Sequence, residues 1–473
     1  MTQKNSLSIG ATALLLLGFA VLWGSNGKGV IQDDPERNIA IPKNLLVPLQ
    51  VRTSYNNERI FFQYRWPAEK PSYFHDVYRY EKGEWKRYGN AVPGSQPQGL
   101  HEDRVAMLVD DGSVPEFARY GGYITVGSGL VDTTHQASGD DVENHPYLGK
   151  QRGQEEVTKY LPQTRHSGDW ADTQSGERIQ QMRKAGYFLD LWHWRSARSN
   201  PLGFADDQVV YDARSGDQGR SAWFTNWDRE KKQPRVMFNP EVAGHAALKW
   251  DDIQAGRIDP DSIYYLHETT MQPFDPDHAW QEGDVLPRRA LRTPAGSRSD
   301  IAADGRWSNG YWQVTLSRLM DTGAPLDDKI FMDGGEYAVG FAIHRNATGG
   351  RWHYVSLPVK LGLGRDSDLV AQSFVGETPD WNQPWHEVKL FYPGQVTWPH
   401  LTSKAHAGSE RIARKIPASA FHKEEQLAVY GIEAEFREAL QTQWRLTLFA
   451  GLLLLASLGF TLFRMATPAK GGF

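Results

Sequence analysis

The side chains able to do chemistry in this chain are imidazoles, carboxylates, guanidiniums and thioethers, because it has 15 histidines and 8 methionines but no cysteine. Without thiols there are no disulfides, thiolate metal sites, iron–sulfur clusters or C-x-x-C-H attachments for a covalently held haem. His353 has the clearest setting. In the extended stretch Trp352–Leu357, alternation places it on the face of Val355 and Leu357. An imidazole there is either a metal ligand or a core side chain held by a hydrogen bond. His193, between Trp192 and Trp194, and His344 lie in similar stretches. Met182 offers a thioether within Glu177–Ala185 (ERIQQMRKA), a short helical turn stopped at Gly186. Ile179 lies three residues before it, so the pair also reads as an apolar stripe. Arg183, Lys184, Arg195 and Arg198 gather around the same segment and are able to pair with an acidic ligand or to form a solvated rim. Asp140, Asp141, Glu143 and His145 have no fixed ligand spacing and read as a solvated loop. No G-x-S-x-G, H-E-x-x-H or phosphate-cradling Gly-Lys-Ser/Thr motif occurs, so no nucleophile, base and oxyanion site assembles.

The elements that must position these residues are mainly β. Leu46–Tyr55 and Ile60–Trp66 form a hairpin around Asn56-Asn57-Glu58-Arg59. Val105–Val109, Tyr187–Trp194, Gly310–Ser317, Tyr337–His344 and Trp352–Leu357 are further strands. Two polar stretches, Asp132–Gln180 and Pro273–Arg306, are too long for simple connections and read as insertions. Seventeen Trp, 19 Tyr and 20 Phe suit both β-sheets and pockets for flat ligands. The net charge of −5 gives no reason to expect a nucleic-acid partner.

Two uncharged apolar runs bracket this region, Ser6–Gly24 and Leu446–Phe463, each near the ~20 residues that cross a bilayer. The expectation is a transmembrane signal-anchor helix over 6–24 and a second transmembrane helix over 446–463. A globular region over 30–418 and a helical connector over 419–445 lie between them. Lys4, Arg445, Arg464 and Lys470, against Lys28, place both termini inside, and with them the bulk of the chain on the periplasmic side of the inner (cytoplasmic) membrane.

Four segments in order carry a resemblance: His101–Leu108 (HEDRVAML), Gly186–Arg195 (GYFLDLWHWR), Gly340–His344 (GFAIH) and Gly349–Pro358 (GGRWHYVSLP). Together they resemble the ethylbenzene dehydrogenase-related haem-binding domain, the b-type cytochrome subunit of some periplasmic molybdenum oxidoreductases of the dimethyl sulfoxide reductase type. The resemblance implies an immunoglobulin-like β-sandwich holding one non-covalent haem b. It places a methionine ligand at Met182, and a second ligand at His353, where the family commonly has lysine three residues before the serine that is Ser356 here. Trp192 and Arg195 then fall at the cofactor, Arg195 near the propionates. The long insertions and the terminal spans depart from the soluble subunit.

The resulting expectation is a membrane-anchored b-type cytochrome that passes single electrons rather than making or breaking bonds. Its partner would be an oxidoreductase subunit, a cytochrome c or a quinol-linked complex. The rival readings are a sandwich module binding a carbohydrate or other small ligand through the Trp-rich stretch Trp381–Trp398, and a scaffold subunit that holds no haem.

Overall fold

The computed structural model describes residues 3–25, 46–89, 100–128, 137–345, 353–392 and 394–466. The Gly349–Trp352 half of the last motif therefore lies outside the described residues. The chain divides into two compact units, residues 42–427 and the paired ends 1–41 with 428–473.

The larger unit is built on a thirteen-stranded sheet. Its strands are β1 (Leu46–Tyr55), β2 (Arg59–Pro67), β3 (Arg104–Asp110), β4 (Leu189–Arg195), β5 (Asp206–Val210), β6 (Arg214–Gly216), β7 (Ala302–Ser308), β8 (Tyr311–Leu319), β9 (Glu336–His344), β10 (Tyr354–Ser356), β11 (Val359–Leu363), β12 (Leu369–Ser373) and β13 (His386–Phe391). Their order in space is β6-β5-β4-β3-β9-β10-β13-β1-β2-β8-β7, with β11 joining β9 to β12 and β12 pairing with β1. β12 runs parallel to β1 and β11, and the main path is antiparallel throughout.

Alternation writes this sheet into the sequence. In β2, Ile60, Phe62, Tyr64 and Trp66 are fully buried, and the hairpin to β1 closes because Asn56 Oδ1 accepts from the amides of Glu58 (2.9 Å) and Arg59 (2.7 Å). Aromatic rings from one half of the sheet meet those of the other. Phe62 lies edge-on to Trp192 at 5.5 Å, Tyr64 to Phe341 at 6.0 Å and Trp66 to Trp194 at 5.9 Å. The sheet thus folds over one aromatic core, and such ring pairs add about 0.5–1.5 kcal/mol each beyond the area they bury.

The expected insertions are not structureless. Parts of Asp132–Gln180 build a second core of Val142, Tyr147, Leu148, Val157, Tyr160 and Ile179 against Val209 and Tyr211. Pro273–Arg306 contributes Val285, Leu286 and Ala290 to a third, shared with Phe74, Val77, Met237 and Phe238. Sequence reading missed both because their strands are two to five residues long, too short to show a period. Helix α1 spans Pro115–Tyr120 and α2 spans Gly176–Lys184. The latter is capped by Ser175 Oγ, which accepts from Arg178 N at 3.2 Å, and ends at Gly186 with φ +89°.

In the smaller unit a helix over Gln3–Ser25 packs on one over Ala428–Ala466. Ser457 Oγ donates to the Ala11 carbonyl at 2.8 Å. At Gly18 a Cβ would stand 3.0 Å from Leu454, so glycine lets the helices approach. Among the described residues one segment, Arg437–Phe463 (27 residues), is long and apolar enough to cross a membrane; the apolar part of the first helix, Ile9–Gly24, is shorter. The long helix begins only at Ala428; Ala418–Ala420 and Glu424–Leu427 are separate short turns rather than part of a continuous connector.

Candidate functional site

Residues of β4, β3, β9 and β10 that do not enter the aromatic core form a second face. The ladders order it in rows. His344, Arg104 and Arg195 make the first row. Val355, Ala342, Ala106 and His193 make the next. Gly340, Leu108 and Leu191 follow, then Ala338 and Asp110. In the middle, Ala106, Gly340, Ala342 and Val355 are half-exposed, while His344, His193, Leu108 and Leu191 around them are buried. Small side chains flanked by larger buried ones leave a depression on this face. The turn at Gly121-Gly122 lies across its apolar side, where a Cβ on Gly122 would touch Leu108 at 3.6 Å.

One end of the crevice is basic. Arg104 Nε and Arg198 Nε reach Glu102 Oε1 at 3.2 and 2.6 Å, while Arg195 and Arg298 share Asp206, the latter at 2.7 Å. Four guanidiniums thus share two carboxylates. Burial and the neighbouring Arg198 depress the Arg104 guanidinium, and burial brings that of Arg198 down to about 10. Burial alone would raise Asp206, but Arg195 and Arg298 hold it at about 2. Four imidazoles run along this end. His344 stacks on His353 at 4.7 Å, His101 lies 6.0 Å from His344, and His75 is edge-on to His101 at 4.7 Å. Burial, then the adjacent guanidiniums, keep His75 and His101 neutral.

His193 stands on the floor between this end and the apolar one. Its Nδ1 lies 3.1 Å from Gln208 Oε1 and 2.9 Å from an Arg195 nitrogen, and its buried Nε2 has no hydrogen-bond partner. Burial, then Arg195, push its pKa far below the usual range, so the ring is neutral. With its Nδ1–H donated to Gln208 Oε1 the neutral ring leaves the Nε2 lone pair bare, the form of a metal ligand with its supporting bond in place, whereas Nδ1 accepting from Arg195 would put the proton on Nε2.

The other end is apolar. Met182, on α2, packs in a cluster with Leu108, Phe117, Tyr187, Leu189 and Leu191. Leu189 and Arg195 stand six residues apart on β4, about 20 Å at ~3.3 Å per residue. Met182 and His353 therefore occupy opposite ends of one crevice.

Other expectations have definite outcomes. His353 and Val355 do share a face, but it is this second face rather than the aromatic core, and Leu357 beyond them is exposed. Trp192, expected at the cofactor, is fully buried in the core, edge-on to Phe62 and 4.7 Å above the Arg318 guanidinium. One residue of strand separates it from His193 and turns it to the opposite side. Arg195 lies at the basic end, paired with Asp206 and beside His193. Arg183 does not: it pairs with Asp327 and covers Tyr211. His145 is taken up locally, its Nδ1 accepting from the Leu148 amide at 3.0 Å and its Nε2 meeting the Ala171 carbonyl at 2.8 Å. Among the Trp-rich residues, Trp381 and Trp385 are covered by Arg52, at 5.3 and 4.2 Å.

Sequence reasoning missed His75, His101, Glu102, Arg104 and Gln208. The available signal was the charged HEDR run at the mouth of an apolar strand. It also missed His400, His406 and His422. His400, on a short helix over Trp398–Leu401, is buried with neither ring nitrogen hydrogen-bonded and rests near Tyr120 and Tyr123 at 5.6 and 5.9 Å. His406 and His422 meet through Nε2 atoms 2.9 Å apart.

Fold and site together define a β-sheet protein with an amphipathic, imidazole-bearing crevice on the back of its principal sheet. The chain belongs to the ethylbenzene dehydrogenase family, whose sequence profile matches residues 23–356. That span contains the crevice strands and ends at Ser356, leaving His400, His406 and His422 outside it. The chain is also similar to cytochrome c-552 of Stutzerimonas stutzeri, 32% identical over 90 residues, which is 19% of this chain and 29% of that protein.

Proposed function

We propose that this chain is a b-type cytochrome: an immunoglobulin-like sandwich that holds one non-covalent haem b in the crevice and transfers single electrons. The observation that carries this reading is the match between the crevice and the amphipathic shape of haem. A small-residue floor suits a flat macrocycle, the apolar end suits its hydrophobic edge, and the surplus of guanidinium over carboxylate suits two propionates. The bare Nε2 of His193 and the neutral imidazoles beside it are donors of the right chemistry for iron. Family membership and the likeness to a cytochrome support the same reading.

Bound haem would supply a one-electron couple, and this chain's residues would set its potential and exclude water. Arg104, Arg195 and Arg198 would hold the propionates. The iron ligands implied by the resemblance would be His353 and Met182, yet one iron must be reached by both side chains and these two stand at opposite ends of the crevice. A second reading replaces His353 with His193, favoured by the anchored Nδ1 and bare Nε2 of that ring and by its place two residues from Leu191, which packs in the Met182 cluster. A thioether ligand would raise the potential in either case. Trp192 has no part in the pocket, because it faces the core.

The test is the spectrum of the purified full chain after expression with ample haem. A Soret band that shifts on reduction is expected, with His353→Ala and His193→Ala identifying the imidazole by loss of haem. A colourless, folded chain would discard the proposal and favour the binding-module or scaffold alternatives.

We further propose that both terminal helices span the inner membrane and hold residues 30–418 on its periplasmic side, near an oxidoreductase subunit, a cytochrome c or a quinol-linked complex. Protease added to intact spheroplasts should then digest that mass, and protection there with cleavage in inverted vesicles would reverse the assignment.

A further inference from the structure

The opposite side of β4 and β5 carries a charge cluster of the other sign. Arg318, on β8, is fully buried between the halves of the sheet. Its NH2 donates to Asp190 Oδ2 at 2.7 Å, and its NH1 to Asp328 Oδ1 at 2.9 Å and Asp207 Oδ2 at 3.2 Å. The carboxylates of Asp190, Asp207 and Asp328 bring oxygens within 4.8 Å of one another. A fourth carboxylate joins them. The β5–β6 ladder pairs Gly216 with Gln208, and the Asp217 amide donates to the Asp207 carbonyl at 3.2 Å, so Asp217 is the cross-strand neighbour of Asp207. Asp217 is 4% exposed, and neither of its carboxylate oxygens has a hydrogen-bond partner; Oδ1 of Asp190 and Oδ1 of Asp207 are equally bare.

Four carboxylates therefore face one guanidinium. Among the described residues the Lys329 ammonium does not make up the difference, because it is taken by Asp111 at 2.7 Å and the Gly186 carbonyl at 2.8 Å. A buried surplus of charge is costly unless something neutralises it. The donors present are all oxygen, with no imidazole or sulfur among them, which is the preference of a hard cation. A cavity of about 610 Å³, lined in part by Arg152, Arg183, Tyr211, Asp217 and Asp327, opens beside Asp217, the one of the four carboxylates on its wall.

We propose that Asp190, Asp207, Asp217 and Asp328 bind a divalent cation of the calcium class, which completes the neutralisation that Arg318 begins. Arg318 would hold one oxygen each of Asp190, Asp207 and Asp328, leaving the bare oxygens of Asp190, Asp207 and Asp217 for the ion, while Asp328 Oδ2, which accepts from the Thr322 hydroxyl at 2.5 Å, would offer its remaining lone pair. The site is independent of the haem reading, since it lies on the other side of the strands and uses none of the crevice residues.

The experiment uses the full chain in detergent, stripped with EGTA, then titrated with CaCl2 by calorimetry and followed by thermal melting at pH 8. One Ca²⁺ per chain is expected, with a Tm that climbs with Ca²⁺ concentration. Asp217→Asn should fold, keep the absorbance spectrum of the parent and lose the calcium response. Its metal-free form should melt no lower than the parent at pH 8, since one buried negative charge is gone; an aspartate with a merely structural role would lower it. A parent Tm that calcium does not move, or calcium bound equally well by Asp217→Asn, overturns the proposal. If Asp217→Asn does not fold, the calorimetric stoichiometry of the parent and its Tm at pH 8 with and without calcium decide.

Discussion

Asp206 and Asp207 are adjacent in β5 and serve opposite ends of an electrostatic contrast. Asp206 points to the outer face, where it and Glu102 answer four guanidiniums. Asp207 points inward, where it joins Asp190, Asp217 and Asp328 around the single guanidinium of Arg318. One strand thus separates a buried surplus of positive charge from a buried surplus of negative charge. Folding alone gains nothing from either surplus, because unpaired buried charge is unfavourable. On the readings proposed above each is half of a complex, the outer one completed by an anion and the inner one by a cation.

The contrast breaks most violently at Arg318. Arg318→Met leaves at least three buried carboxylates with no cation, and removing one partner of a buried pair commonly costs about 3–5 kcal/mol. The variant should fail to fold or should melt far below the parent by circular dichroism. Arg104→Met on the outer face should do the reverse. It relieves a crowd of like charges, so the fold should be retained within about 1 kcal/mol, while haem affinity falls at least tenfold, about 1.4 kcal/mol, in a haem-transfer assay. Equal destabilisation by the two substitutions would show that both clusters are merely structural.

Met182 sharpens the comparison between the two ends of the crevice. Truncating a buried methionine costs about 2–5 kcal/mol through lost packing, so Met182→Ala should lower stability whether or not the sulfur touches iron. Its ligand role is read elsewhere, in a lowered midpoint potential and an altered reduced spectrum. Unchanged values would leave Met182 as packing and direct the search for the sixth ligand to His193. Filling the floor is a cleaner probe, because Ala106 is partly exposed and borders the Met182 cluster without being buried in it. Ala106→Leu should fold with near-parental Tm and take up little haem.

Much of this was legible in the sequence, though unevenly. Long alternating strands such as Ile60–Trp66 and Tyr337–His344 announced themselves, because period-two burial survives any context. The site was harder. His193 and Trp192 are neighbours with opposite fates, and a pattern in which every residue of LWHW is buried carries no sign of which face is the core. Alternation set His353 beside Val355 but gave no warning that a second layer covers the far side of the sheet. Asp217 sits in a polar hairpin, Ala213–Asp217, that reads as solvent-exposed, yet the pairing of β6 with β5 draws it inside. Charge balance across a folded sheet is a property of register, and register between distant strands is not visible in a single chain.

A different kind of effect concerns the segment beyond the family match. His400, His406 and His422 are buried and neutral; burial holds His406 at about 4 and His422 at about 3, and drives His400 well below its ordinary value. Their unfolded value is ~6.5, so below that pH the unfolded chain binds protons that the folded chain refuses. This segment should therefore lose stability as pH falls from about 6.5 towards 4, by roughly 1.4 kcal/mol per histidine for each pH unit. The crevice shares this dependence, because burial holds His75, His101 and His193 neutral as well. Hydrogen exchange at pH 7 and pH 5 therefore compares both with strands that carry no histidine. Amides over 398–422 should exchange faster at the lower pH, while those of β1 and β2 keep their protection. His400→Phe should reduce the difference, because it replaces an imidazole that makes no hydrogen bond with a ring that cannot take a proton. Protection that is the same at both pH values would mean these imidazoles already accept protons in the folded chain, and that the segment packs less tightly on Tyr120 and Tyr123 than its burial indicates.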